Sequence, residues 1–211
     1  NLIKLVSHGF TDGFYYKPRV DLELLRQYRE GIIAASACLA GPVARNILDN
    51  TYEAARDIAL EYNEVFGQGN FYLELQDHGY PEQKTVNRAL IRMSGETGIP
   101  LICTNDSHYI YKEDAEAHDI LLCIQTQKTV NDEDRMRYEG GQFYLKSPKE
   151  MAALFPPEAL ENTVKIARRC NVEFTFHELK LPAFDVHQGK PANEYLRELC
   201  LAGLRRKYGE P

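Results

Sequence analysis

FYLELQDHGYPEQKTVNRALIRMSGETGIPLICTNDSHY, residues 71–109, holds a strand, a helix and a second strand in that order. The run 71–75 is short, apolar and aromatic, as in a strand covered on both faces. Pro81 suits a first helical position, Val86, Leu90 and Met93 recur on one side of the helix it opens, and Gly98 stops that helix. The run 101–104 then reads as a strand again. Two strands joined by a helical crossover run parallel, so the segment is a βαβ unit.

Working outward, the same rhythm recurs on both sides. Residues 31–37, β-branched at Ile32 and Ile33, read as a further buried strand, followed by a helix from Pro42. Asn50 or Thr51 caps a second helix, whose apolar face is Tyr52, Ala55, Ile58, Ala59, Tyr62, Val65 and Phe66, with Gly67 as its stop. After the third strand a helix is expected over 112–125, and its apolar run 120–124 should be buried on most sides. Ser147, Pro148 and Glu150 form a capping box for a short helix through Phe155, ended by Pro156 and Pro157. The next helix runs to about Cys170 with Leu160, Val164 and Ala167 inward. Residues 181–191 read as an extended connector, and a last helix over 193–208 ends in Arg205, Arg206 and Lys207, which suits the negative end of its dipole.

Composition narrows the class. A chain of 211 residues with 44% hydrophobic and 27% charged residues can bury a sizeable core. No apolar run approaches the roughly 18 residues of a membrane span, and no signal-peptide pattern opens the chain, so a cytoplasmic location is expected. The five cysteines lack CxxC spacing, and an odd number argues against a full disulfide framework. Four of them are expected to be small buried hydrophobes; Cys38 stands apart. A net charge of −6 argues against a surface that grips duplex DNA unaided. The first residue is not methionine and the opening residues continue a helical apolar face, so the chain reads as an excised piece.

In parallel α/β folds functional groups collect where strands end. Three polar clusters fall there: residues 36–41 around Cys38, residues 76–78 with His78, and residues 105–108 with Asp106 and His108. Asp106 and His108 are two apart and would point the same way from an extended strand end. A carboxylate and an imidazole suit Zn²⁺, Mn²⁺ or Fe²⁺, and Cys38 at the parallel position of another strand adds a thiolate donor. Cys38 also fits the plainer description of a buried hydrophobe among alanines. His78 can be a group supporting such a site, a substrate contact or an ordinary turn histidine. Glu74 faces either solvent or a barrel interior. His8, on the polar side of the opening helix, and His118, within a helix, read as structural, and His177 and His187 flank the connector without a constellation. Residues 14–19 mix aromatic and basic groups that could stack on bases, but in so acidic a chain they read rather as a packing and salt-bridging loop. No Walker loop, G-x-G-x-x-G, G-x-S-x-G or H-E-x-x-H is present.

Six segments in order, GFYYKPRVD at 13–21, SACLAG at 36–41, FYLELQDHG at 71–79, TNDSHY at 104–109, AHDILLCIQT at 117–126 and FYLKSPKEM at 143–151, closely resemble the PHP (polymerase and histidinol phosphatase) domain of bacterial DNA polymerase III alpha subunits. The resemblance implies a distorted (βα) barrel whose metal centre is built from strand ends, with the family's ligand positions falling on Cys38, Asp106 and His108. The family's other ligands, an H-x-H pair among them, lie in a stretch that would precede Asn1. A cluster of about nine ligands is thus represented by three, and metal binding by this piece alone is expected to be weak. Its barrel should be incomplete, with exposed strand edges that favour self-association.

For the parent protein the resemblance implies template-directed DNA synthesis with Mg²⁺ in a palm whose aspartates lie outside this chain. The PHP part would be a scaffold and a metal-dependent 3′–5′ exonuclease, with Zn, Mn or Fe as its divalent metal. The alternatives are a purely structural docking module for the proofreading exonuclease subunit, or a freestanding PHP phosphoesterase. Implied partners are DNA, deoxynucleotides and replicase subunits including the proofreading exonuclease and the sliding clamp, with no membrane. The expected division is PHP portion at 1–180, connector at 181–192 and the start of the palm region at 193–211, with the piece inactive by itself.

Overall fold

A computed structural model describes residues 1–179, 181–186 and 189–209, and divides the chain into a unit spanning residues 1–170 and a second spanning 171–211. His187 lies outside the described residues.

In the first unit, β1 (Ala34–Ala35), β2 (Phe71–Leu75) and β3 (Leu101–Cys103) form a parallel sheet in that order. Ala34 pairs with Phe71, and Leu73 with Leu101. β2 is central and its Phe71, Tyr72, Leu73 and Leu75 are all buried, as a strand covered on both faces requires. β1 is shorter than expected: only two residues pair, because Ala37 turns into the left-handed region at φ 63° and ends the extended run. The sheet supports the α/β class; the described strands do not close a barrel.

α3 (Pro42–Leu48) packs against α4 (Tyr52–Phe66) and α5 (Pro81–Thr97), and these two helices pack on the sheet. α4 buries Ala55, Ala59, Val65 and Phe66 from the expected face, with Ile58 and Tyr62 half-buried, and stops at Gly67. α5 buries Val86, Leu90 and Met93 and ends at Gly98 with φ 73°. The Thr51 hydroxyl at the start of α4 donates back to the Asn46 carbonyl at 2.8 Å instead of capping the new helix. α1 (Leu2–Thr11) and α2 (Leu22–Tyr28) precede β1; α1 buries Leu5 but leaves Leu2, Ile3, Val6 and Phe10 exposed. The loop between them packs upon itself, Arg19 lying 5.1 Å over the Tyr15 ring, and among the described residues neither Lys17 nor Arg19 forms an ion pair.

Two helices depart from expectation. A 3-10 turn (Lys112–Asp114) leads into α6 (Ala115–Thr126), which buries Leu122 and Cys123 and exposes Ile120, Leu121 and Ile124. Five consecutive residues at about 100° each wrap the whole circumference of a helix, so one packed side cannot bury them all. After α7 (Pro148–Leu154), α8 (Pro157–Arg169) turns Ala159 and Asn162 inward and leaves Val164 and Ala167 exposed. The cause is the outer edge of β3. Asn162 donates its side-chain amide to the Leu101 carbonyl at 2.8 Å and the Thr163 hydroxyl donates to the Cys103 carbonyl at 3.3 Å, so α8 satisfies carbonyls that no strand takes. That sheet edge is therefore covered, contrary to the expectation of open edges.

The second unit holds α9 (Ala192–Tyr208); the described residues before it include a turn at Phe176 and His177, the latter at φ 63°, and among the unit's described residues none is buried. Within it the Lys190 ammonium meets Glu198 at 2.8 Å and the Phe184 and Tyr195 rings stack at 6.1 Å. Cys103 and Cys123 are buried as expected, but Cys170 and Cys200 are exposed: one follows the last turn of α8 and the other lies on a helix with no buried side.

Candidate metal-binding cleft

Because all three strands run parallel, their C-terminal ends open on one side. There a cleft of about 580 Å³ is lined by Cys38, Glu74, His78, Asp106 and His108 together with Gln76 and Gln83, and walled by the rings of Tyr80, Tyr138 and Phe143. The five residues singled out from the sequence thus meet at one place, although Cys38 and His108 are separated by 70 positions, 108 − 38.

Cys38 follows Ala37, whose positive φ swings the chain out of β1, and the turn closes with the Gly41 amide donating to the Cys38 carbonyl at 2.8 Å. The thiol is exposed to the cleft, not packed among the alanines as a small hydrophobe. The Ser36 hydroxyl, just after β1, accepts from the backbone N–H of Glu74 on β2 at 2.9 Å, tying the two strand ends. The Glu74 carboxylate faces the cleft and accepts from the Thr104 hydroxyl at 2.5 Å and the Gln76 amide at 3.1 Å.

Asp106 and His108 share the cleft for a different reason from the one their spacing suggests. Asp106 sits at φ 43°, so the segment is a turn and not an extended strand end. His108 is fixed at its backbone, its amide donating to the Phe143 carbonyl at 2.8 Å, and at its ring, where Nδ1 lies 2.9 Å from the Asp106 carbonyl. A carbonyl can only accept, so in the neutral ring Nδ1 carries the proton and Nε2 keeps a free lone pair. That is the form in which an imidazole binds a cation.

His78 is 2% exposed, and burial pushes its pKa below the ordinary histidine value. Its ring lies flat on Phe143 with centroids 3.9 Å apart. Both ring nitrogens face protein groups, Nε2 the Asn105 carbonyl at 3.0 Å and Nδ1 the Gln83 amide nitrogen at 2.8 Å. His118 stands edge-on to His108 at 5.7 Å, and burial chiefly, with the mutual repulsion the two rings would have if both were protonated, lowers its pKa. Lys146, buried and held by the Gln142 carbonyl, likewise has its pKa lowered by burial. Gln83 was not foreseen as part of the cleft, because only the three-dimensional turn after β2 brings it back onto His78; Phe143 and Tyr138 arrive from still farther along the chain.

The donor types match a divalent metal: a thiol, a carboxylate and an imidazole with a free Nε2. Their convergence does not. Among the described residues no three His, Cys, Asp or Glu side chains stand close enough together to hold an ion. The cleft therefore has the chemistry of a site without its closure.

Residues 1–78, which carry Cys38, Glu74 and His78 of the cleft, match the PHP domain family. Almost the whole chain, in turn, is similar to one segment of DNA polymerase III alpha subunits. It is 46% identical to that of Borreliella burgdorferi, 44% to that of Treponema pallidum and 40% to that of Thermus aquaticus, in each case over 99% of this chain. The chain matches the PHP region of these polymerase subunits, as its motifs imply. It spans 18% of the length of each of the three relatives. Among the described residues no helix is long and apolar enough to cross a membrane.

Proposed function

We propose that this chain is a PHP segment of a replicative DNA polymerase alpha subunit, and that its cleft supplies Cys38, Asp106 and His108 to a divalent-metal site. The observation that carries this reading is that the three donors, from two separate strand ends, line the same cleft. Bound there, a divalent cation would neutralise phosphodiester charge and acidify a water. The protein's own part is to present the ligands: Ala37 aims the Cys38 thiol, and the Asp106 carbonyl keeps the His108 proton on Nδ1 so that Nε2 is free. Glu74, already bonded to Thr104 and Gln76, lends negative charge beside the ligands.

In this reading the three strands are part of a (βα) barrel, the parent protein carries out DNA synthesis in a Mg²⁺-dependent palm elsewhere, and its partners are DNA, deoxynucleotides, the proofreading exonuclease and the sliding clamp. The PHP portion, its connector and the start of the palm region divide the chain at 1–180, 181–192 and 193–211. The PHP portion acts as a scaffold and as a metal-dependent 3′–5′ exonuclease, and the protein works in the cytoplasm.

A second reading, a purely structural docking module, is favoured by the failure of three donors to converge among the described residues. Metal content separates the two. Purified intact protein should carry Zn²⁺, Mn²⁺ or Fe²⁺ with anomalous scattering at the cleft, and Cys38→Ala combined with His108→Ala should lower the content at least about 10-fold. Equal metal content in wild type and double variant would refute the metal reading; nuclease assays on the same samples test the exonuclease role.

A further inference from the structure

Two backbone groups at the ends of a buried hydrogen-bond chain settle where the proton of His78 lies. The His78 backbone N–H donates to the Gln83 side-chain oxygen at 2.7 Å. The other end of that amide must then be its NH₂, which only donates, so His78 Nδ1, at 2.8 Å, accepts. The proton is therefore on Nε2, which donates to the Asn105 carbonyl at 3.0 Å. That carbonyl belongs to the peptide that enters Asp106 in its left-handed conformation.

The chain continues on both sides of the cleft. Asn105 uses its side-chain amide to grip Lys146 twice, donating to its carbonyl and accepting from its backbone N–H, both at 3.2 Å. The face of His78 stacks on Phe143 with rings 8° from parallel, and Phe143 receives the His108 amide on its carbonyl and the edge-to-face contact of the His108 ring at 5.1 Å. Thus one imidazole braces Asp106 through the Asn105 peptide and His108 through Phe143. With both nitrogens committed, it has no lone pair for a cation.

We infer that Gln83, His78 and Asn105 work as one unit that positions Asp106 and His108, with His78 locked as the neutral Nε2–H tautomer and acting as a positioning residue, not a ligand. The inference rests on the metal reading for its purpose but on hydrogen-bond polarity for its geometry, and the two can fail separately.

The test is made on the intact chain at neutral pH. Long-range ¹H–¹⁵N correlation should show His78 with a protonated Nε2 and an unprotonated Nδ1, in one tautomer. Gln83→Met keeps the length of the side chain and removes both contacts to His78; His78→Phe keeps the stack on Phe143 and removes the donor to Asn105. In Gln83→Met the single tautomer should be lost. In each variant amide exchange at His108 should rise at least about 10-fold more than exchange in the core helix α4, which reports the overall loss of stability, and Zn²⁺ alone, titrated calorimetrically, should bind roughly 10–100-fold more weakly. A purely structural role would instead raise exchange at His108 and in α4 alike and leave the Zn²⁺ affinity of the folded protein unchanged. An Nδ1–H or mixed tautomer in wild type, a Zn²⁺-induced shift marking His78 as a ligand, or unchanged exchange in both variants would overturn the inference. If wild type binds no divalent metal, the metal reading fails, and the tautomer with the exchange data decides whether the unit positions this segment.

Discussion

Ala37 and Asp106 both occupy the left-handed region, at φ 63° and 43°, where a residue with a Cβ is disfavoured by roughly 1–2 kcal/mol. Both belong to the turns that present candidate ligands, so the strain lies where side chains are aimed away from the sheet. Gly41 completes the first of these turns for a steric reason. A Cβ there would fall 2.6 Å from the Ser36 carbonyl oxygen and 3.1 Å from that of Cys38, both of them backbone atoms that cannot rotate away. Gly41→Ala should therefore destabilise the protein by about 1–3 kcal/mol, measured by urea unfolding, and change the rate at which Cys38 reacts with a thiol reagent. An unchanged midpoint and thiol rate would mean that the turn yields freely. The positions of Cys38, Asp106 and His108 were legible as polar residues at strand ends. The reason Asp106 and His108 share a cleft was not, since alternation presumes an extended backbone and the positive φ of Asp106 appears only in three dimensions.

Local signals in the sequence served well where an element is decided locally. The start of α7 is such a case: Ser147 accepts from the Glu150 amide, and the Glu150 carboxylate returns to the Ser147 amide at 2.8 Å and hydroxyl at 2.7 Å while accepting from Tyr144 at 2.6 Å. These bonds, the Ser147 side chain first and Tyr144 next, hold the Glu150 pKa down to about 2 from an ordinary 4.5. A carboxyl with a folded pKa below its unfolded value adds stability that is complete above about 4.5 and is lost as pH falls toward about 2. Wild type should lose more stability across that window than Glu150→Gln, as followed by chemical denaturation, and carboxyl NMR should show Glu150 titrating near the bottom of it. Parallel stability curves for the two proteins would refute this. By contrast, the face of α8 departs from its hydropathy, which counts Val164 as an inward residue and Asn162 as an outward one. The free carbonyls of β3 reverse that order, and they come from a strand some 60 residues earlier, |162 − 101| = 61.

At the scale of the whole molecule, the strand–helix rhythm was legible because each parallel strand needs a crossover long enough to hold a helix. The covering of the sheet's edge was not, since it depends on long-range contacts such as that of α8 with β3. Among the described residues every buried apolar side chain lies between Leu5 and Ala159, and Phe174, Phe176, Leu179, Leu181 and Phe184 are exposed, as are Leu196, Leu199, Leu201 and Leu204 of α9. Exposed apolar surface of this kind adds little to folding, because the hydrophobic contribution scales with area removed from water. Residues 1–170 should consequently unfold as one cooperative unit with a thermal midpoint within about 4 °C of the full chain, the shift expected for about 1 kcal/mol in a domain of this size. Calorimetry of the two chains measures it directly. A fall of more than about 10 °C on removing 171–211 would show that stability of several kcal/mol resides in that unit, and that its leucines and phenylalanines are covered in solution.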